Sequence, residues 1–150
     1  MFTDDPSTNS RKSTLPRQMR TRNVSAAQAR SYLAKADEYL AAAENELAEE
    51  RGIAATSLAI HAAINAADAV CGVRLGKRAA GQDHDRVGEL LSEAGRDGNE
   101  LGKDLRRLLP MKTKAEYDPD GIPLSAASKA VERAQSCVSV ARRVVASAPR

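Results

Sequence analysis

Residues Leu58–His84 read LAIHAAINAADAVCGVRLGKRAAGQDH, and this stretch decides the fold. Up to Leu75 it is an alanine-rich apolar segment in which polar residues recur at helical rather than alternating spacing. Ile60, Ile64, Ala67 and Cys71 form an apolar seam, with Ile53 before it and Leu58 and Val70 alongside. Ser57, His61, Asn65 and Asp68 fall on one neighbouring face, a thin polar band on an otherwise apolar helix. Such residues must be exposed, paired or functional, because an unpartnered buried polar group is costly. From Gly76 the stretch becomes a basic glycine loop with Lys77 and Arg78, ending on Asp83 and His84.

Outward from this helix the pattern stays helical. Ser25, with Gln28 three residues later, forms a capping box for a preceding helix. Its seam, Ala29, Leu33, Ala36, Leu40, Ala43 and Leu47, keeps 4-3 spacing and is flanked by Tyr32 and Tyr39, and Gly52 is expected to end it. After the loop, Asp83 is a candidate cap for a short helix with Val87, Leu90 and Leu91 inward. Gly95–Gly98 interrupts the chain. A fourth helix from about Glu100 carries Leu101, Leu105, Leu108 and Leu109 until Pro110, and 111–118 continues it with a kink or restarts it. Asp118-Pro119-Asp120-Gly121 is a turn. Ser125 is expected to cap a last helix with Ala130, Ala134, Cys137, Ala141 and Val144 inward. The expectation is an all-α, up-and-down bundle of about five helices over residues 25–150.

Residues 1–24 have few apolar side chains and no period, and are expected to be a disordered basic tail. Arg11, Lys12, Arg17, Arg20 and Arg22 against Asp4 and Asp5 give this segment the whole formal charge of +3. The remainder is neutral, so any affinity for nucleic acid must come from a local patch. With aromatics at 3% and no Trp, base stacking on aromatic platforms is poorly served. Cys71 and Cys137 lack any metal-ligand spacing and fit small buried residues of a reducing cytoplasm, so no metal or cofactor is expected. No apolar leader or uninterrupted membrane-length run occurs, and a soluble cytoplasmic protein is expected.

Three constellations carry possible chemistry. Arg78 and His84, separated by five residues, suit metal-independent RNA cleavage: imidazole moves a proton at the ribose 2′-hydroxyl, and guanidinium holds the phosphate. That spacing by itself also arises by chance. His61, Asn65 and Asp68 form either a proton relay or a structural polar network within the bundle or at a homodimer seam. Lys112, Lys114 and Tyr117 beside the turn, with Lys77 in the loop, read as a phosphate-binding patch or as solvated helix ends.

The segments YLAKADEYLAAAENEL, SLAIHAAINAADAV, DHDRVGELL and LLPMKTKAEYDPDGIPLSAASKAVERAQSCV together resemble the HEPN superfamily of small helical domains over about residues 25–145. The resemblance implies a homodimer. It also implies either a metal-independent endoribonuclease with an R-x(4–6)-H pair, in a toxin–antitoxin or phage-defence setting, or a non-catalytic module. The latter would be an antitoxin-like partner of a nucleotidyltransferase, or a helical adaptor. In the family the Arg/His pair usually lies nearer the fourth helix. Here that region carries Lys112, Lys114 and Tyr117, and the matching pair is Arg78 and His84.

Overall fold

The structure, a computed structural model, describes residues 20–81 and 84–149; the side chains of His84 and Asp85 lie outside the described residues. In chain order the elements are β1 (Thr21–Asn23), α1 (Ala26–Ala48), α2 (Gly52–Leu75), β2 (Lys77–Ala79), α3 (His84–Leu91), α4 (Gly95–Leu108), α5 (Pro110–Tyr117) and α6 (Leu124–Ala146). The fold is the expected helical bundle, its fourth helix broken at Pro110 into α4 and α5.

α2 is the central element. α1 and α6 pack along it, and α3, α4, α5 and β2 close its remaining sides. It is long and apolar enough to cross a membrane, with a mean hydropathy of 1.3, yet more than half of that window is buried by the protein's own helices. Alanine makes this arrangement possible. Ala55, Ala59, Ala62, Ala63, Ala66, Ala67 and Ala69 are all fully buried, so neighbouring backbones approach closely. Larger core side chains come from the flanks: Leu90 and Leu91 on α3, Leu101, Leu105 and Leu108 on α4, Val138, Val140 and Val144 on α6. Cys71 and Cys137 are free and buried. Burial pushes the Cys71 thiol up to about 12, helped by the negative charges of Asp68 and Glu93, so it packs as a small apolar group.

Several boundaries differ from expectation for local reasons. The capping box at Ser25 forms, Ser25 Oγ accepting from the Gln28 amide at 3.1 Å and Gln28 Oε1 from the Ser25 amide at 2.9 Å. α1, however, ends at Ala48. The reversal is made by Glu50 at φ 61°, and Gly52 opens α2, where a side chain would meet the Ile122 carbonyl. Ile53, assigned to the seam, sits in the first turn of α2 and is 44% exposed. α4 starts at Gly95, not Glu100. α6 starts at Leu124 behind Pro123, so Ser125 lies inside the helix and makes no cap. The proposed Asp83 cap lies outside the described residues.

The short sheet was not foreseen. β1 and β2 pair antiparallel with Thr21 opposite Ala79, Arg22 opposite Arg78 and Asn23 opposite Lys77. The Val24 amide donates to Gly76 O at 2.8 Å and the Ala80 amide to Arg20 O at 2.9 Å, extending the ribbon at both ends. Gly76, at φ 70°, ends α2 in the left-handed conformation that turns the chain into β2. The expected tail therefore yields Arg20–Val24 to the folded domain.

Candidate functional site

The polar band on α2 is divided between two neighbourhoods. At the end near the start of α2, Ser57 and His61 meet α5, where Lys112, Ala115 and Glu116 complete a shallow notch. The His61 ring lies 5.2 Å from the Tyr39 ring of α1, tilted by 55°. Asn65, next along the band, turns its amide back onto its own helix and donates to His61 O at 2.8 Å. Among the described residues no hydrogen bond joins the side chains of His61, Asn65 and Asp68 to one another.

Asp68 belongs to the second neighbourhood, about two turns before the end of α2. Only 8% of it is exposed. Burial pushes its carboxyl up to about 7, against the opposing pull of the Arg78 and Lys35 charges. Arg78 comes from β2, its guanidinium 5.6 Å from the centre of the Tyr32 ring of α1 and its Nη1 donating to Ala79 O at 2.9 Å. Lys35 stands on α1 one turn from Tyr32 and is exposed. Three elements thus bring together a carboxyl that titrates near neutrality, a half-buried arginine and an aromatic ring. Chemically this combination can hold an anion at the guanidinium and exchange a proton at the carboxyl.

Of the residues singled out from sequence, Arg78 and Asp68 meet here, and Lys77 is half-buried on the same strand. Lys112 sits in the other neighbourhood with His61. Lys114 is exposed on α5, as is Tyr117 at 77%, and among the described residues neither touches Arg78. His84 is the first residue of α3, five residues in sequence beyond the end of β2, and its side chain is outside the described residues. Sequence reasoning missed Tyr32 and Lys35 as site residues. Their signal was present but ambiguous: with Tyr39 they recur at i, i+3 and i+7, which places them on one face of α1 beside its seam. Among the described residues no group of three His, Cys, Asp or Glu side chains has the arrangement of a metal site.

Comparison with curated proteins finds no match. The HEPN domain family profile matches residues 29–149, from the first turn of α1 to beyond the end of α6, and so takes in the whole helical bundle and both neighbourhoods of the polar band. The chain belongs to the HEPN domain family.

Proposed function

We propose that this HEPN domain acts on RNA as a homodimer, cleaving it without a metal, with Arg78 holding the scissile phosphate and His84 moving the proton. The observation that carries the reading is the state of Arg78. It is fixed in direction by the Tyr32 ring and one hydrogen bond to Ala79 O, and it makes no ion pair with a carboxylate among the described residues. Most of its five N–H donors are thereby left for an anion. β2 leads from this arginine toward α3, which opens on His84. In the reaction, the 2′-oxygen attacks the adjacent phosphorus as imidazole takes its proton, the P–O5′ bond breaks to leave a 2′,3′-cyclic phosphate, and the imidazolium returns the proton to the departing 5′-oxygen. The guanidinium stabilises the charge that accumulates on the non-bridging oxygens. Lys112, Lys114 and Tyr117 are then contacts for RNA away from the reacting phosphate.

Cleavage of single-stranded RNA in excess chelator tests this. Folded His84→Ala is expected to lose about 10²- to 10⁴-fold in rate, the usual contribution of a proton-transfer group; undiminished cleavage overturns the assignment. Light scattering behind size exclusion reads the dimer. A toxin or defence role predicts growth arrest on expression, relieved by His84→Ala.

A second reading is favoured by the same arginine's contacts. Packed on Tyr32 and bonded to its own strand, Arg78 also serves as a structural clasp between α1 and β2. A non-catalytic module, partnering a nucleotidyltransferase or antitoxin, needs no more than that. In that case Arg78→Ala lowers the melting temperature, and the wild-type protein shows no ribonuclease activity to lose.

A further inference from the structure

Residues 25–150, neutral as a whole, needed a local patch to bind a polyanion, and the unforeseen ribbon supplies one. In an antiparallel pair, residues directly opposite share a face, and so do residues two apart on one strand. Arg22 stands opposite Arg78, and Arg20 lies two residues before Arg22, so Arg20, Arg22 and Arg78 occupy the same face of the ribbon. Lys77 lies on the strand beside them. Neither 20–24 nor 76–81 contains an acidic residue. Like charges directly opposite each other destabilise a strand pair, so the Arg22–Arg78 juxtaposition works against the ribbon until an anion lies between them.

The surroundings do not neutralise it. Arg51, Arg74, Arg86, Arg142 and Arg143 are each in ion pairs with carboxylates, whereas Arg20, Arg22, Lys77 and Arg78 make none among the described residues. The facing acid is Asp68, buried and held partly protonated near neutral pH, and Lys35 on α1 adds a further positive charge on the same side. In sequence, Arg11, Lys12 and Arg17 lead directly into β1.

We propose that the β1–β2 ribbon is the RNA-backbone contact of this protein, with Arg20, Arg22 and Arg78 on one face holding successive phosphates of a single strand. Strand spacing sets Arg20 and Arg22 about 6.6–6.8 Å apart, and the cross-strand pair forms a fork for one phosphate. Recognition is by charge and is blind to base sequence, consistent with the scarcity of aromatic platforms. This rests on the RNA reading above and gives it a location, separate from the question of cleavage.

The test is fluorescence anisotropy of a labelled 2′-O-methyl oligouridine, which cannot be cleaved through its 2′-oxygen, titrated with the full chain across a salt series. Arg20→Ala/Arg22→Ala is expected to weaken binding roughly tenfold and to reduce the slope of log K against log salt by about 1.4, or 0.7 for each phosphate contact removed. Arg133→Ala, in the mixed-charge groove between α4 and α6, is expected to change neither. Both ribbon arginines removed are exposed, so melting temperature serves as the control for folding. If wild type binds but the double variant binds equally well with an unchanged slope, the ribbon is not the contact and the RNA reading survives. If wild type does not bind, both fall. Binding lost with the ribbon while His84→Ala leaves cleavage intact upholds the ribbon and overturns only the catalytic assignment.

Discussion

Asp68 shows how one residue can belong both to the core and to chemistry. Its spacing with His61 and Asn65 made the polar band legible, because helical geometry alone puts the three on one face. What sequence could not supply were the partners, since Arg78, Tyr32 and Lys35 arrive from two other elements. The consequence is a pH dependence with a definite sign. The folded-state value of about 7 lies above the ordinary 3.8, so between these values the folded protein holds a proton that the unfolded chain has released. Stability therefore falls as pH rises from about 4 to 7 and is flat above that. The full separation corresponds to at most roughly 4 kcal/mol, a large share of a typical domain's stability. Asp68→Asn, which cannot ionise, is expected to melt close to wild type below about pH 4 and progressively above it as pH rises, reaching a gap of several degrees by pH 8. Parallel melting curves for the two proteins across that range would mean that Asp68 is ionised at little cost.

Among the elements, the three long helices were the most legible, because their seams run for several turns and each buried alanine or leucine repeats the same information. Ala29, Ala36, Leu40 and Ala43 on α1 and Ala130, Ala134, Cys137, Ala141 and Val144 on α6 are buried as their spacing required. Ends were less legible, because they depend on what lies across from them: Gly52 opens a helix rather than closing one because the Ile122 carbonyl packs against it. The ends of α2, α4 and α6 are joined by one carboxylate. Asp97, in the first turn of α4, accepts from Arg143 of α6 at 2.7 Å and from Arg74 of α2 at 2.9 Å. These two hydrogen bonds, Arg143 first, hold its carboxyl below the usual carboxylate range. A lowered value contributes stability above the unfolded pKa and loses it as pH falls through the folded one. Since the arginines are largely exposed, the effect is that of a screened surface network. Asp97→Asn is expected to melt ~1–3 °C below wild type at pH 7 and low salt. The gap should narrow toward pH 3 and in high salt, and a gap insensitive to both would show that packing, not charge, is lost.

For the whole molecule, the helical class and the bundle were readable from 25 onward, whereas the ribbon was not. Three-residue strands carry no period to detect, and the pairing of 21–23 with 77–79 joins segments separated by both long helices. Composition argued against it too, since a basic, polar segment offers little apolar surface to offset the cost of ordering. One residue makes the difference: Val24 is 7% exposed, and it packs so closely on α2 that a side chain at Gly72 would collide with it. Burying a valine stabilises by about 1.5–3 kcal/mol, and the ladder bonds to Gly76 and Ala80 add to that. The folded part thus takes in residues 20–24, upstream of the helix cap that marks its start in the sequence. A chain starting at Arg20 is expected to melt several degrees above one starting at Ser25. Val24→Ala in the full chain should reproduce a substantial part of that loss, because it removes the apolar anchor and leaves the strand bonds in place. Equal melting temperatures for the two truncated chains would return residues 20–24 to the tail and take away the scaffold that fixes Arg22 opposite Arg78.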